Sequence, residues 1–371
     1  LLANNAQTKG KNGWLLTLDF PSYQAVITYA DNRALREKLY HAYSTRASDQ
    51  FPQGDQTNTW DNTPLMAEML ALRYQSAQLL GFGNYAELSL ANKMAQDPAQ
   101  VIAFIRDLIG KGKPKAQQEL AALKARAAQD GVLDYASWDH AYYSEKLQQE
   151  QYQLADEALR PYFPVPKVLS GLFAICEQVL EVRFVPTAYP QKLWHDDVQY
   201  FELYQLDKGA LGQKIAGCLL DLYAREQKQS GAWMDECQGK TQDQLPVAFL
   251  TCNFRPPATG QVGLLSHDEV ITLFHEFGHG LHHMLTQVTT PSVAGISGVE
   301  WDAVELPSQL MENFCWDQAS LRLMSGHVET DEPLPDELYQ RMTAAKNYNG
   351  GLALLRQMEF SLFDMLLHVK P

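Results

Sequence analysis

Long apolar runs, cysteine spacing motifs and an excess of positive charge are all missing from this 371-residue sequence. No run reaches the roughly 18 apolar residues of a transmembrane helix. The 5 cysteines are odd in number, scattered and without C-x-x-C spacing. They predict buried small hydrophobic residues, not a disulfide framework or a thiolate metal site. With 30 basic against 44 acidic residues, the net charge of −14 argues against nucleic acid or an anionic membrane as a partner.

The composition is that of an ordinary globular protein. It is 46% hydrophobic and 20% charged, and the length suggests two or three domains or one large elaborated domain. Residues 1–14 lack the charged and apolar segments of a secretory signal, so we expect a cytoplasmic protein, and a monomer. Because the sequence begins without Met and stops abruptly at Pro371, we also expect a fragment of a longer chain.

Helical periodicity dominates the sequence. Helices are predicted at about 65–80, 99–129, 138–159, 167–180, 301–323 and 351–367, and a short strand at Trp14–Leu18. The run from Gly81 to Ala86 matches the dinucleotide fingerprint G-x-G-x-x-A, but a helix precedes it where that motif requires a strand. We therefore interpret it as a helix end followed by a turn.

The residue pattern of the sequence changes from helical to strand-like after Pro186 and Pro190. This proline cluster predicts a boundary between a mostly helical region, 1–190, and a second region, 191–371. Beyond it lie three short runs of β-branched, aromatic and aliphatic residues. They are Val198–Leu206, Ile215–Tyr223 and Val247–Phe254. These runs predict a small, mostly antiparallel sheet, so the fold class is mainly α with a small β-sheet.

The segment 268–287, DEVITLFHEFGHGLHHMLTQ, contains the motif H-E-x-x-H. Residues i and i+4 lie on one face of a helix, so His275 and His279 can bind one metal ion. Glu276 is then turned aside, where it can act as a base on a water molecule. Ser266 with Glu269 fits a capping box at the start of the helix.

A catalytic zinc ion takes three protein ligands and keeps a fourth position open. The acidic candidates for the third ligand are Glu300, Asp302, Glu305 and Glu312. Glu305 has the best setting because it begins an apolar-periodic helix. Glu312, two turns further on, is predicted as the partner of a ligand histidine. For His282, an ordinary polar helix position and a substrate contact both remain open, and spacing alone makes neither His282 nor His283 a ligand.

Several further segments carry a family resemblance. In sequence order they are LLGFGNYAELSLANKMA, LDLYARE, LTCNF, HEFGHGLHHML and GISGVEWDAVELPSQLMEN. The similarity to which they belong runs through almost all of the sequence. Together they resemble the thimet oligopeptidase family of zinc metallopeptidases. The resemblance implies one Zn²⁺ per chain, with His275, His279 and Glu305 as the ligands and Glu276 as the general base.

The resemblance also implies a zincin-like helical fold with a deep channel, in which 1–190 is the channel wall and 191–371 the catalytic region. The implied activity is that of an endopeptidase, which hydrolyses short unstructured peptides with zinc-activated water. A peptidyl-dipeptidase and a non-catalytic zinc- or peptide-binding relative remain as alternatives. We predict Gly217–Tyr223 as a strand beside the substrate. Family members extend past Pro371, where their oxyanion-stabilising residues lie, so we expect this chain to be weakly active or inactive alone.

Overall fold

The computed structural model describes residues 2–50, 60–153, 156–257 and 260–370. Its helices are α1 (Leu2–Thr8), α2 (Phe20–Tyr29), α3 (Arg33–Ser44), α4 (Thr63–Leu79), α5 (Tyr85–Leu90), α6 (Pro98–Gln129), α7 (His140–Tyr152), α8 (Asp156–Leu159), α9 (Val165–Leu180), α10 (His267–Met284), α11 (Leu306–Glu312), α12 (Gln318–Met324), α13 (Asp336–Ala345) and α14 (Gly350–His368). Its strands are β1 (Val182–Pro186), β2 (Gln199–Asp207), β3 (Ala210–Tyr223), β4 (Trp233–Gln238) and β5 (Val247–Phe254). The contacts divide the chain into unit 1, Leu1–Gln153 with Ala344–Pro371, and unit 2, Leu154–Thr343.

Unit 1 is built on the pairing of the long helix α6 with α14. Gly112 of α6 lies so close to α14 that an added Cβ would come within 2.8 Å of Leu354. The buried carboxylate of Glu119 accepts hydrogen bonds from the backbone N–H groups of Gly351 at 3.3 Å and Leu352 at 2.9 Å. Glu119 therefore satisfies backbone donors at the start of α14 that have no partner within that helix.

Unit 2 contains a mixed sheet of five strands in the order β1-β2-β3-β5-β4. The pairs β1–β2, β2–β3 and β4–β5 are antiparallel, and β3–β5 is parallel. Strand β3 is thus hydrogen-bonded on both sides, and β4 forms one edge of the sheet within the described residues. Helix α10 packs against β5, β4 and β3, with Gly280 next to Leu250 of β5. The sheet therefore supports the helix that carries the H-E-x-x-H motif.

The core of unit 2 follows from the apolar stripe of α9. Val168, Leu172 and Ile175 recur at the spacing of one helix face and are at most 3% exposed. Each fully buried aliphatic side chain of this kind contributes roughly 1.5–3 kcal/mol to folding. From the same helix, Phe173 stacks on Phe184 of β1 with ring centroids 4.7 Å apart. Helix α9 therefore belongs to the sheet unit.

A buried ion cluster joins the ends of β3 and β5. The carboxylate of Asp221 accepts two hydrogen bonds of 2.7 Å from Arg225 and one of 2.9 Å from the indole N–H of Trp194. The ammonium group of Lys228 donates to Asp221 Oδ1 at 2.9 Å and to the carbonyl of Cys252 at 2.6 Å. Burial alone would raise the pKa of Asp221, but its hydrogen-bonding cations hold the pKa well below the usual range.

The predicted fold class, mainly α with a small sheet, is confirmed, and the strand at Val247–Phe254 has the predicted bounds. The strand predicted at Trp14–Leu18 is wrong, because this segment forms no ladder with another strand. Strands β1 and β4 were not predicted. Gly81 follows α4 with φ of 85°, as the turn interpretation requires. None of the described helices combines the length and the apolar character needed to cross a membrane.

Two predicted helices are divided in the structure. The helix expected at 138–159 is interrupted after Tyr152, where Gln153 adopts φ of 50°. The helix expected at 301–323 is split into α11 and α12, because the carboxylate of Asp317 accepts a hydrogen bond from the N–H of Ser320 and caps a new helix.

The division predicted at residue 190 differs from the units that the contacts define. Strand β1 ends at Pro186 and pairs with β2, which begins at Gln199. The proline-rich segment between them therefore connects two neighbouring strands of one sheet. Unit 2 begins earlier in the sequence, and unit 1 is completed by residues from Ala344 onward.

Candidate metal centre

The helix that carries the motif begins where the capping box predicts. Ser266 accepts a hydrogen bond from the N–H of Glu269 at 3.1 Å, and Glu269 accepts one from the N–H of Ser266 at 2.7 Å. Glu269 also accepts a hydrogen bond of 2.9 Å from Arg160, which itself donates to the carbonyl of Leu264. The first turn of α10 is thereby tied to the segment that precedes it.

His275, His279 and Glu305 form the one group of potential metal ligands found among the described residues. Their ligand atoms all lie within 4.8 Å of one another. Glu305 Oε2 lies 3.1 Å from Nε2 of His275 and 3.1 Å from Nε2 of His279. Ligands about 2.0 Å from a tetrahedral zinc ion would be separated by about 3.3 Å. The spacing of the three side chains therefore fits such an ion.

Glu305 stands at the N-terminal end of α11, as the apolar-periodic helix after it predicted. Oγ of Ser308 lies 2.8 Å from Glu305 Oε2 and 2.8 Å from the Glu305 backbone carbonyl oxygen, so its one hydroxyl proton is shared between these two acceptors. The contact with Oε2 holds the carboxylate oxygen that lies near both histidines. Glu300 and Asp302 do not belong to the ligand group of the described residues.

Gly278 allows α11 to approach α10 closely enough for this arrangement. A Cβ at Gly278 would lie 2.5 Å from the carbonyl oxygen of Pro307 and 2.5 Å from Cα of Ser308. Both atoms belong to the backbone, so a side chain here would push α11 away from the motif. The glycine between the two histidines thus determines whether Glu305 can reach the site.

Replacing Gly278 by Ala is expected to weaken zinc binding by roughly tenfold to a hundredfold, the cost of disturbing the support of a metal ligand. Alanine by itself would strengthen the helix by about 1 kcal/mol, so a loss of affinity would come from the displaced Glu305. Zinc affinity is measured by competition with a fluorescent chelator, and helix content by circular dichroism.

Gly280→Ala is the matched control, because its Cβ would meet only the side chain of Leu250, at 3.0 Å. This side chain can move, so zinc affinity should change little. Equal affinities for Gly278→Ala and the unmodified protein would contradict the role given to Gly278.

The histidines are oriented by contacts away from the ligand atoms. Nδ1 of His275 donates a hydrogen bond of 2.7 Å to Glu312, the partner that the sequence predicted for a ligand histidine. This bond places the ring proton on Nδ1 and leaves the lone pair of Nε2 facing Glu305 and His279. Burial lowers the pKa of His279 and so favours the neutral ring that a metal ligand requires.

Glu276 lies beside the ligands and is only 7% exposed. Burial, the largest effect, and the nearby carboxylate of Glu305 raise the pKa of Glu276 to about 7, against the opposing effects of His275 and a backbone hydrogen bond from Met234. A carboxylate with a pKa near neutrality can both accept and release a proton under physiological conditions.

The contact between Glu276 and β4 could not be predicted, because β4 itself was not recognised. The strand WMDECQ is short and half polar, with two acidic residues at its centre. Its one sequence signal was the aromatic and apolar pair Trp233 and Met234 after a glycine. His282 and His283 lie outside the ligand group of the described residues.

A sequence profile of peptidase family M3 matches residues 26–371. The chain belongs to peptidase family M3. The resemblance inferred from the motifs is thereby confirmed, and the similarity covers every residue of the ligand group.

Two similar proteins are named oligopeptidase A. The protein from Salmonella typhimurium is 54% identical over 98% of this chain, and the one from Escherichia coli is 54% identical over 100%. The dipeptidyl carboxypeptidase of Escherichia coli is 32% identical over 99% of the chain. The matches cover 53%, 54% and 53% of these relatives, so the chain spans about half the length of the curated relatives it matches.

Proposed function

We propose that this chain carries the catalytic site of a zinc metallopeptidase that hydrolyses short, unstructured peptides. The observation that supports this most directly is the convergence of His275, His279 and Glu305 on one point, with Glu276 beside them. Membership of family M3 and the similarity to oligopeptidase A point to the same chemistry. A deep channel that excludes folded proteins is part of this proposal.

Zinc would be held by the two Nε2 atoms and the Glu305 carboxylate, a donor set of two histidines and one carboxylate typical of catalytic zinc. When bound there, zinc would act as a Lewis acid that polarises the scissile carbonyl and makes a water molecule acidic. Glu312 would keep His275 in the correct tautomer. Ser308 would hold Glu305 in place.

Glu276 would serve as the general base and then as the general acid. Its carboxylate would take a proton from the attacking water and later give this proton to the nitrogen of the departing amine. The proton taken from water is thus the one given to the amine, and no covalent bond between the peptide and the protein is needed.

The structure corrects the strand that was predicted to flank the substrate. Gly217–Leu220 of β3 are paired with both β2 and β5 and cannot accept another strand, and the remainder of the segment, to Tyr223, is paired with β5. Strand β4 is the edge strand of the described sheet, and its residue Met234 pairs with Leu250, which packs against Gly280 one helical turn after Glu276. We therefore propose that β4 binds the peptide backbone by strand addition.

We favour an endopeptidase over an enzyme that releases C-terminal dipeptides, because two relatives named oligopeptidase A are each 54% identical to this chain and the dipeptidyl carboxypeptidase is 32% identical. A non-catalytic function is less favoured, since a site that only binds would not need Glu276. The monomeric state and the cytoplasmic location stay predictions.

The test uses internally quenched peptides of graded length with an amidated C-terminus. We expect the zinc-loaded protein to cut the shorter peptides internally, with the weak activity expected of this chain alone, so the protein is used at the same concentration as the peptide. A chelator should remove this activity until zinc is restored. Mass spectra of the products separate internal cleavage from dipeptide release. If stoichiometric zinc is bound and no peptide of any length is cut, the proposed activity is wrong for this chain.

A further inference from the structure

The edge strand β4 presents an acidic side chain on the face of the sheet that carries α10. Glu236 pairs with Ala248, and Met234 pairs with Leu250, the residue that packs against Gly280 of α10. Residues two apart in a strand share a face, so Glu236 and Met234 both point to the α10 side. The position of Glu236 confirms this, since its carboxylate lies 3.8 Å from His283 of α10.

The neighbouring acid, Asp235, points the other way. It pairs with Phe249, which packs against the cluster of Val198, Tyr200 and Leu219. Because consecutive residues of a strand point to opposite faces, the carboxylates of Asp235 and Glu236 lie on different sides of the sheet. Only Glu236 is on the same side as the metal ligands.

The carboxylate of Glu236 is available to a ligand. Its side chain is 36% exposed, and among the described residues none donates a hydrogen bond to it. The nearest basic group is His283, whose side chain is fully buried. Nε2 of His283 lies 3.1 Å from the carbonyl oxygen of Gln238, which can only accept, so the ring proton is on Nε2.

This tautomer leaves Nδ1 of His283 as a lone pair that faces Glu236. Nδ1 is buried and has no hydrogen-bond partner in the described part of the chain. The partnerless Nδ1 of His283 and the solvent-exposed carboxylate of Glu236 therefore lie together beside the edge strand.

The distance from the reacting centre follows from strand geometry. Met234 pairs with Leu250, which packs against Gly280, one helical turn after Glu276. Glu236 is two residues further, about 6.5–7 Å along the strand. A peptide paired with β4 has the same repeat. The side chain that reaches Glu236 would thus belong to a residue about two positions from the bond that is cut.

We propose that Glu236 is a specificity-determining residue that selects peptides with Arg or Lys about two positions from the cleaved bond. This inference rests on the proposed function of the site and names a substrate class for it. The selected cation would pair with the carboxylate of Glu236, and peptides with an acidic residue at this position would be repelled.

The experiment uses matched peptides that differ at one position only, carrying Arg, Gln or Glu two residues before or two residues after the cleaved bond. For the unmodified protein the Arg peptide should exceed the Glu peptide in kcat/KM by roughly tenfold on one of the two sides, because attraction and repulsion add. Glu236→Gln should remove the preference, and Glu236→Lys should reverse it.

Asp235→Lys is the control, since it makes the same change of charge one residue away on the other face. It should leave the ratio between the Arg and Glu peptides as it is in the unmodified protein. A ratio that Glu236→Lys does not change, or that Asp235→Lys changes equally, would overturn the proposal.

Equilibrium binding of the same peptides, measured by fluorescence anisotropy on zinc-loaded protein, separates the two proposals. If the Kd values depend on peptide charge but no peptide is cut, the proposed function is wrong and the role of Glu236 is supported. If peptides are cut without charge selectivity, the proposed function is supported and the role of Glu236 is wrong. Absence of both binding and cleavage for every peptide would overturn both.

Discussion

Replacement of Glu276 by Gln should lower peptide hydrolysis by roughly a hundredfold to ten-thousandfold, the typical contribution of a general base. Glutamine has nearly the same size as glutamate, but its amide cannot take a proton from water. Zinc binding should persist, because the proposed ligands are His275, His279 and Glu305. Turnover is measured with a quenched peptide, and bound zinc by elemental analysis of the same sample.

Glu300→Gln is the matched control for this substitution. Glu300 is exposed and lies outside the ligand group of the described residues, so neither turnover nor zinc content should change. If Glu276→Gln cleaved peptides at the unmodified rate, the assignment of Glu276 as the base would be refuted. If it lost zinc together with activity, its role would be structural.

The second large effect is expected at Asp221, where substitution by Asn should destabilise unit 2 by about 3–5 kcal/mol, as for other broken buried ion pairs. The variant leaves the buried ammonium group of Lys228 among carbonyl groups without a counter-charge. Arg225 loses the carboxylate that accepts its two hydrogen bonds. Urea denaturation at neutral pH gives the free energy of unfolding. Hydrogen exchange of β3 and β5 amides assigns the loss to the sheet.

The stabilisation by Asp221 should also depend on pH, in a defined direction. Its pKa in the folded protein is depressed, so its contribution is fully present above the pKa of an unfolded Asp, about 3.9. The contribution is lost as the pH falls through the depressed folded value. The difference in unfolding free energy between the unmodified protein and Asp221→Asn should therefore be constant from pH 7 to about 5 and shrink in stronger acid.

Asp196→Asn serves as the control in these measurements, because Asp196 is exposed and should change stability by less than about 0.5 kcal/mol. A destabilisation by Asp221→Asn no larger than that of the control would show that the cluster does not hold the sheet together.

The metal site was largely predictable because its chemistry is encoded locally. His275 and His279 are one helical turn apart, and the capping box at Ser266 marks where their helix begins. Glu305 is distant in sequence, yet it precedes an apolar-periodic helix, which distinguished it from Glu300 and Asp302. The structure brings the three proposed ligands together, and their role in binding zinc stays a proposal.

The surroundings of the site depend on contacts that no local pattern records. Nothing in the run Gly217–Tyr223 shows that β3 is internal, because its partners β2 and β5 lie on both sides in space. Strand β4 has too few apolar residues to stand out, and its place beside α10 comes from pairing with β5. The Asp221 cluster draws its cations from a loop whose path the sequence does not define.

The helix boundaries were predicted wrongly at the two places where a single residue ends or starts a helix. Asp317 starts a new helix by capping it, and Gln153 ends another by adopting a left-handed conformation. Hydrophobic periodicity runs through both positions without a break. Such interruptions depend on one hydrogen bond or one dihedral angle. These local effects leave little trace in the sequence compared with the apolar periodicity of a whole helix.

The pairing of α6 with α14 has a consequence for the order in which the polypeptide can fold during synthesis. A ribosome makes α6 before, and α14 after, the contiguous residues of unit 2. Unit 2 can complete its internal contacts once residue 343 has emerged. The face of α6 that receives α14, with Glu119 ready to cap it, stays open to water and to chaperones throughout that interval.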